Sequence, residues 1–153
     1  MPVTNVKSKW VSGNLVFTDN DGNAIFTIKS DGTVETAGVF SSITTATTPA
    51  SGSCAVQLTF KDSEGDTMAV PTAGILYLSE VATGLTHDLA DTTLAVLTNG
   101  ALTNIGGAGP SLFTTTPAGL LGLTITAAAD SYWIVVVLPD GKLLISDECV
   151  VNA

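Results

Sequence analysis

Apolar residues in this chain recur at every second position, and turn dipeptides cut the pattern at short intervals. Val56, Leu58 and Phe60 alternate with Gln57, Thr59 and Lys61. Ala24, Phe26 and Ile28 alternate with Ile25, Thr27 and Lys29, and Leu121, Leu123 and Ile125 alternate with Gly122, Thr124 and Thr126. A period of two places one set of side chains on one face of a strand, so each stretch reads as a strand with one face in a core. Tyr132 to Leu138 is apolar on both faces, which suits a central strand or one whose outer face meets a partner. Asn20-Asp21-Gly22-Asn23, Ser30-Asp31-Gly32-Thr33, Ser63-Glu64-Gly65-Asp66 and Pro139-Asp140-Gly141-Lys142 lie between these stretches. Such sequences tolerate the positive φ angles of tight hairpin turns. The best helical candidate, Leu85 to Leu97, carries Thr and Asp and no apolar stripe. The expected fold class is therefore all-β.

The pattern divides near residue 45. A strand-turn-strand-turn-strand module occupies Asn14 to Val39, and the stretch Ser41 to Ser53 is rich in Ser and Thr with one Pro, the composition of a linker. Residues 1–45 are expected to form a small β-hairpin arm and residues 46–153 an immunoglobulin-like β-sandwich of seven or so short strands. The expected strands there are Cys54 to Asp62, Gly74 to Val81, one or two within Thr83 to Leu112, Phe113 to Thr115, Leu120 to Ala127, Tyr132 to Leu138 and Lys142 to Val150. An arm of so few strands has little capacity to stand alone.

Composition narrows the function. The chain has 153 residues, enough for one ordinary domain or one domain with an appendage. Charged residues make up 12%, about half the usual share, and 45% are apolar. So few charges imply that part of the surface is meant to be covered. The net charge is −9 and there is no Arg. Phosphate would repel such a chain, and the guanidinium fork that reads bases or clamps phosphate is missing, so neither nucleic acid nor an anionic membrane is an expected partner. Trp133 to Leu138 is the longest apolar run, far short of a bilayer span. The residues after Met1 lack the apolar core of a secretory signal, so the protein is expected to stay soluble where it is made.

No catalytic constellation emerges. His87, the single His, is followed by Asp88 in a polar stretch, without the Gly-x-Ser-x-Gly elbow that would frame a triad. Asp19, Asp21 and Asn23 have calcium-loop spacing, but Gly22 stands before Asn23 rather than after it, and no Glu closes the loop. Glu64, Asp66, Asp147 and Glu148 are paired acids at turn positions, in a chain too poor in aromatics to line a sugar cleft. Gly106-Gly107-Ala108-Gly109 is followed by Pro110-Ser111 rather than by the Lys and Ser or Thr of a phosphate loop. Cys54 and Cys149 read as free thiols or as a clip between the first and last strands of one domain, and with one His they do not make a zinc site. No metal, no cofactor and no enzymatic activity are expected. Trp133 reads as a core or interface residue, and Trp10 either staples its own hairpin or anchors the chain to another subunit.

Two sets of residues resemble known proteins. Ser12-Gly13-Asn14-Leu15-Val16-Phe17-Thr18-Asp19 with Asn23-Ala24-Ile25-Phe26-Thr27-Ile28 is similar to the N-terminal segment of many tailed-bacteriophage virion proteins. Val56 to Asp62, Ile75 to Ser79, Gly119 to Thr126 and Tyr132 to Gly141 resemble phage head decoration, cement or head-fibre proteins with an immunoglobulin-like domain. The likeness implies a virion structural protein made in the host cytoplasm and added to the capsid surface, with the major capsid protein as partner and a homotrimer as assembly. On that reading Trp10, Leu15, Phe17, Phe26 and Ile28 contact the capsid or a neighbouring subunit, and the sandwich projects outward. The alternative is a cell-surface or carbohydrate-binding adhesion module of a head or tail fibre. The absence of Trp and Tyr from Thr83 to Leu112 counts against it.

Overall fold

The alternating stretches become strands wherever the structure, a computed structural model, describes them. It describes residues 6–18, 20–22, 24–32, 34–36, 40–62, 65–86, 92–105, 109–138 and 141–153. Among these there is no helix, and all the strands pair antiparallel. The glycines of the four turn signals, Gly22, Gly32, Gly65 and Gly141, have φ between 85° and 91°, the left-handed region those turns require.

Four strands form an N-terminal sheet in the order β1-β2-β3-β4: β1 (Lys7–Val11), β2 (Asn14–Thr18), β3 (Ala24–Ile28) and β4 (Val34–Thr36). The sequence pattern does not reveal β1. A two-residue turn creates it: Ser12 and Gly13 both have positive φ, 50° and 85°, the geometry that returns β1 onto β2 with Val11 opposite Asn14. The Asn14 carboxamide oxygen accepts from the Ser30 N–H at 3.1 Å and ties the start of β2 to the β3–β4 turn.

The rest of the chain is sandwich-like. One sheet has the order β5-β6-β11-β8, built from β5 (Ser42–Ala50), β6 (Ser53–Lys61), β11 (Leu120–Thr126) and β8 (Thr93–Val96). The other has the order β13-β12-β7-β10-β9, with β14 also on β12. Its members are β7 (Ala73–Ser79), β9 (Ala101–Asn104), β10 (Ser111–Thr114), β12 (Asp130–Val137), β13 (Leu143–Ile145) and β14 (Cys149–Val151). Their inner faces share one core: Cys54, Val56, Leu58 and Phe60 of β6 and Leu121, Leu123 and Ile125 of β11 meet Leu76, Leu78, Phe113, Ile134 and Val136.

Two sequence expectations need correction. The stretch from Ser41 to Ser53 is no linker: Ser42–Ala50 is β5, paired with β6 along its whole length and running across the expected boundary at residue 45. Its Thr residues are β-branched and suit a strand. Ile43, Thr45 and Thr47 are half-buried while Thr44, Ala46 and Thr48 are exposed. Pro49 is tolerated because β5 is an edge strand. The expected final strand over Lys142 to Val150 is two strands. Between them the Ser146 hydroxyl accepts from the Ile134 N–H at 2.9 Å and donates to the Asp147 carbonyl at 2.8 Å, so a side chain takes a place in the hydrogen-bond ladder. With β5 added, this strand divided, and both β8 and β9 inside Thr83 to Leu112, the described residues of the sandwich form ten strands where seven or so were expected.

The two-sided apolarity of β12 has a local cause. Tyr132, Ile134 and Val136 face the core. Val135, on the opposite face, is also fully buried, because the turn at Gly84 folds back over it and the Tyr77 hydroxyl donates to the Gly84 carbonyl at 2.6 Å.

Phe40, Phe60 and Phe113 form the aromatic centre of the core. Phe60 stacks on Phe113 at 5.0 Å, and Phe40 meets Phe60 edge-on at 5.2 Å. Gly74 lies directly opposite Phe113, and a Cβ there would stand 2.9 Å from the ring. The ring cannot swing away, because Phe40 and Phe60 hold its other sides. Gly74→Ala is expected to cost about 1–3 kcal/mol by overpacking, read as a lower urea midpoint at unchanged m-value.

Candidate functional site

In an antiparallel pair, residues directly opposite share a face, and so do residues two apart on one strand. Trp10 lies opposite Leu15, and Leu15 opposite Ile28. Ser8 lies opposite Phe17, and Phe17 opposite Phe26. The N-terminal sheet therefore brings Trp10, Leu15, Phe17, Phe26 and Ile28 together on one face. The Phe17 and Phe26 rings are 4.9 Å apart and tilted by 42°. Leu15, Phe17, Phe26 and Ile28 are half-buried, and Trp10 is 73% exposed. The opposite face carries Lys7, Lys9, Val16, Thr18 and Thr27, and there Thr18 and Thr27 are buried. The larger apolar side chains thus occupy the more open face.

This face contributes nothing to the main core. Among the residues whose burial is described, the core cluster begins at Phe40 and includes no side chain of β1 or β2, nor Phe26 or Ile28 of β3. Only Phe17 with Phe26, and Trp10 beside Leu15, provide local cover. A sheet with one apolar face needs a second layer. The described chain supplies none here, so the face is the strongest candidate surface of the molecule.

A second apolar exposure was not singled out by the sequence pattern. Leu112 lies opposite Ile75, Ile75 opposite Val137, and Val137 opposite Leu143, which makes one row across the outer face of the six-stranded sheet. Leu112 and Ile75 are exposed, and Val137 and Leu143 half-buried. Its only trace in the sequence is the two-sided apolar run from Tyr132 to Leu138.

The chemical candidates do not assemble. Among the described residues no three His, Cys, Asp or Glu side chains cluster as metal ligands. Asp66 belongs to a turn in which its N–H donates to the Asp62 carboxylate at 3.0 Å, and Asp147 and Glu148 lie exposed between β13 and β14. The Ile105 N–H donates to the Pro110 carbonyl at 2.9 Å and closes the glycine-rich loop. Asp19, Asn23, Glu64, His87, Asp88, Gly106, Gly107 and Ala108 lie outside the described residues.

Cys54 and Cys149 are both buried free thiols. Burial pushes the Cys149 thiol up to about 12, with the charges of Cys54, Asp147 and Glu148 adding to the rise and the hydrogen bond with Ser146 opposing it. Burial raises the Cys54 thiol as well. No family model matches this chain, and no curated protein matches it in sequence.

The thiols predict a pH dependence. In the unfolded chain Cys149 ionises near its ordinary value of 9.0, whereas in the folded chain it keeps its proton to about 12. Between those values the unfolded state binds fewer protons, so stability falls as pH rises, by up to about 1.4 kcal/mol per unit. Urea titrations between pH 9 and 12 should show that slope, and Cys149→Ala should flatten it. An identical slope in the variant would contradict the assignment.

Proposed function

We propose that this protein is a virion structural protein that decorates the outside of an assembled phage head and stabilises it. Its N-terminal sheet makes the contact with the major capsid protein or with sister subunits, and an immunoglobulin-like sandwich projects outward. The observation that carries the reading is the open apolar face of the N-terminal sheet, five large side chains that belong to no core of the described chain. The likeness of Ser12 to Asp19 with Asn23 to Ile28 to tailed-phage virion proteins supports it from the sequence side. The mechanism needs no chemistry. A folded protein that binds only the assembled lattice stabilises that lattice by mass action. Closing a partner over Trp10 removes on the order of 150 Å² of apolar surface, worth about 4 kcal/mol before the costs of association.

Binding to empty heads that lack the protein tests the reading. The full chain should sediment with the heads and raise their thermal stability. A variant lacking residues 1–39 should not bind, while its far-UV circular dichroism and cooperative unfolding show the sandwich intact. Trp10→Ala should weaken binding about thirtyfold or more, the scale of an interfacial anchor. Full binding by the truncated protein would refute the assignment of the contact to this sheet, and failure of the full chain to bind heads would refute the decoration reading.

A further inference from the structure

We propose that Asn99, in the turn between β8 and β9, is a site of spontaneous covalent modification. It loses ammonia by attack of the Gly100 backbone nitrogen, and a clamp made by Gln57 and Gly122 holds that reaction back for as long as the turn stays folded. The chemistry does not depend on what the chain binds.

Asn99-Gly100 is the one Asn-Gly pair in the sequence. Glycine has no side chain to shield its nitrogen, and its backbone turns freely, so in an open chain that nitrogen readily reaches the carboxamide carbon of the preceding Asn. The step is complete in itself. A bond forms between the Gly100 nitrogen and Asn99 Cγ and closes a cyclic imide. The bond from Cγ to Nδ2 breaks, and Nδ2 leaves as ammonia with the proton that Gly100 gives up. Water then opens the imide at one of its two carbonyls, to aspartate or to isoaspartate.

The fold holds Asn99 at both its side chain and its main chain. Nδ2 donates to Gln57 Oε1 at 3.0 Å and to Thr98 Oγ1 at 3.4 Å. Gln57 Nε2 donates in turn to the Leu58 carbonyl at 3.1 Å, which leaves its oxygen turned toward Asn99. The Asn99 carbonyl accepts from the Gly122 N–H at 3.0 Å, and the Leu97 N–H donates to the Gly122 carbonyl at 2.8 Å, so β11 fixes the peptide plane that carries the Gly100 nitrogen. The close seat depends on Gly122, because a Cβ there would stand 2.5 Å from Thr98 Oγ1. Gly100 is confined from the other side: its φ is 82°, and a Cβ on it would stand 2.5 Å from the Thr114 carbonyl oxygen. Ring closure removes the nitrogen that bonds Gln57 and reshapes a peptide held on two sides. The reaction therefore waits for local opening of the turn.

The product does not fit the seat it leaves. Residues 92–129 contain no charged residue, so the new carboxylate is the first charge in that stretch. It meets Gln57 Oε1, an acceptor facing an acceptor, unless Gln57 gives up its bond to the Leu58 carbonyl. An isoaspartate also lengthens the main chain inside a turn that both Gly122 and Thr114 confine. Each opening that ends in reaction thus makes the next opening of the same turn easier.

The test is peptide mapping by mass spectrometry after incubation of the full-length protein in mildly alkaline buffer, which reads the exchange of an amide for a carboxyl at each Asn. In urea the unfolded chain should convert at Asn99 ahead of every other Asn. The folded chain should convert there about tenfold more slowly or less. Gln57→Ala should raise the folded-state rate several-fold, up to about tenfold, the scale of one hydrogen bond. Gln57→Glu keeps an acceptor for Asn99 and should restore the slow rate, which a merely structural role for Gln57 would not do. Urea midpoints show that each variant is folded. A folded chain that converts as fast as the unfolded one overturns the clamp, and this comparison needs no variant. A folded Gln57→Ala with an unchanged rate also overturns it. An unfolded chain that converts elsewhere before Asn99 overturns the assignment of the site.

Discussion

An apolar sheet face must be covered, and the whole molecule can be read from how it meets that demand. Two of its sheets cover each other. Their inner faces supply Leu58, Phe60, Leu121 and Leu123 from one side and Leu76, Phe113, Ile134 and Val136 from the other. The outer face of the larger sheet is covered in part by the turn at Gly84, which lies over Val135. In the third sheet Trp10 stays largely exposed among the described residues, and that imbalance is the most informative feature of the described chain.

The strands with plain alternation were legible in the sequence because one face of each is buried in that core. Cys54, Val56, Leu58 and Phe60 are all buried, and Ala55, Gln57 and Thr59 between them are half-buried. The turns were legible because a tight reversal requires a residue that accepts positive φ, and Gly22, Gly32, Gly65 and Gly141 stand where it is required. Strand β5 was not legible. Thr and Ser fill both of its faces, so hydropathy carries no period there, and its pairing with β6 depends on a partner rather than on its own pattern. Strand β1 was hidden for a related reason: every residue in it is exposed, and the turn that makes it uses Ser12, a residue seldom found at positive φ.

The candidate surface was legible as residues but not as a surface. Alternation in β2 and β3 marks Leu15, Phe17, Phe26 and Ile28 as one side of a sheet, but a core would produce the same pattern. Only the fold shows that these residues join no core among the described residues, and only the register sets Trp10 beside Leu15.

The central claim is that a partner covers the open face of the N-terminal sheet. Trp10 reports on it directly once Trp133→Phe leaves it as the only tryptophan. Its emission and its quenching by iodide would be measured in dilute protein, in concentrated protein and on empty heads. The account predicts a red-shifted, freely quenched tryptophan in dilute solution. It predicts a blue-shifted, protected one when the protein assembles or binds. A Trp10 that stays red-shifted and fully quenchable under all three conditions would contradict it.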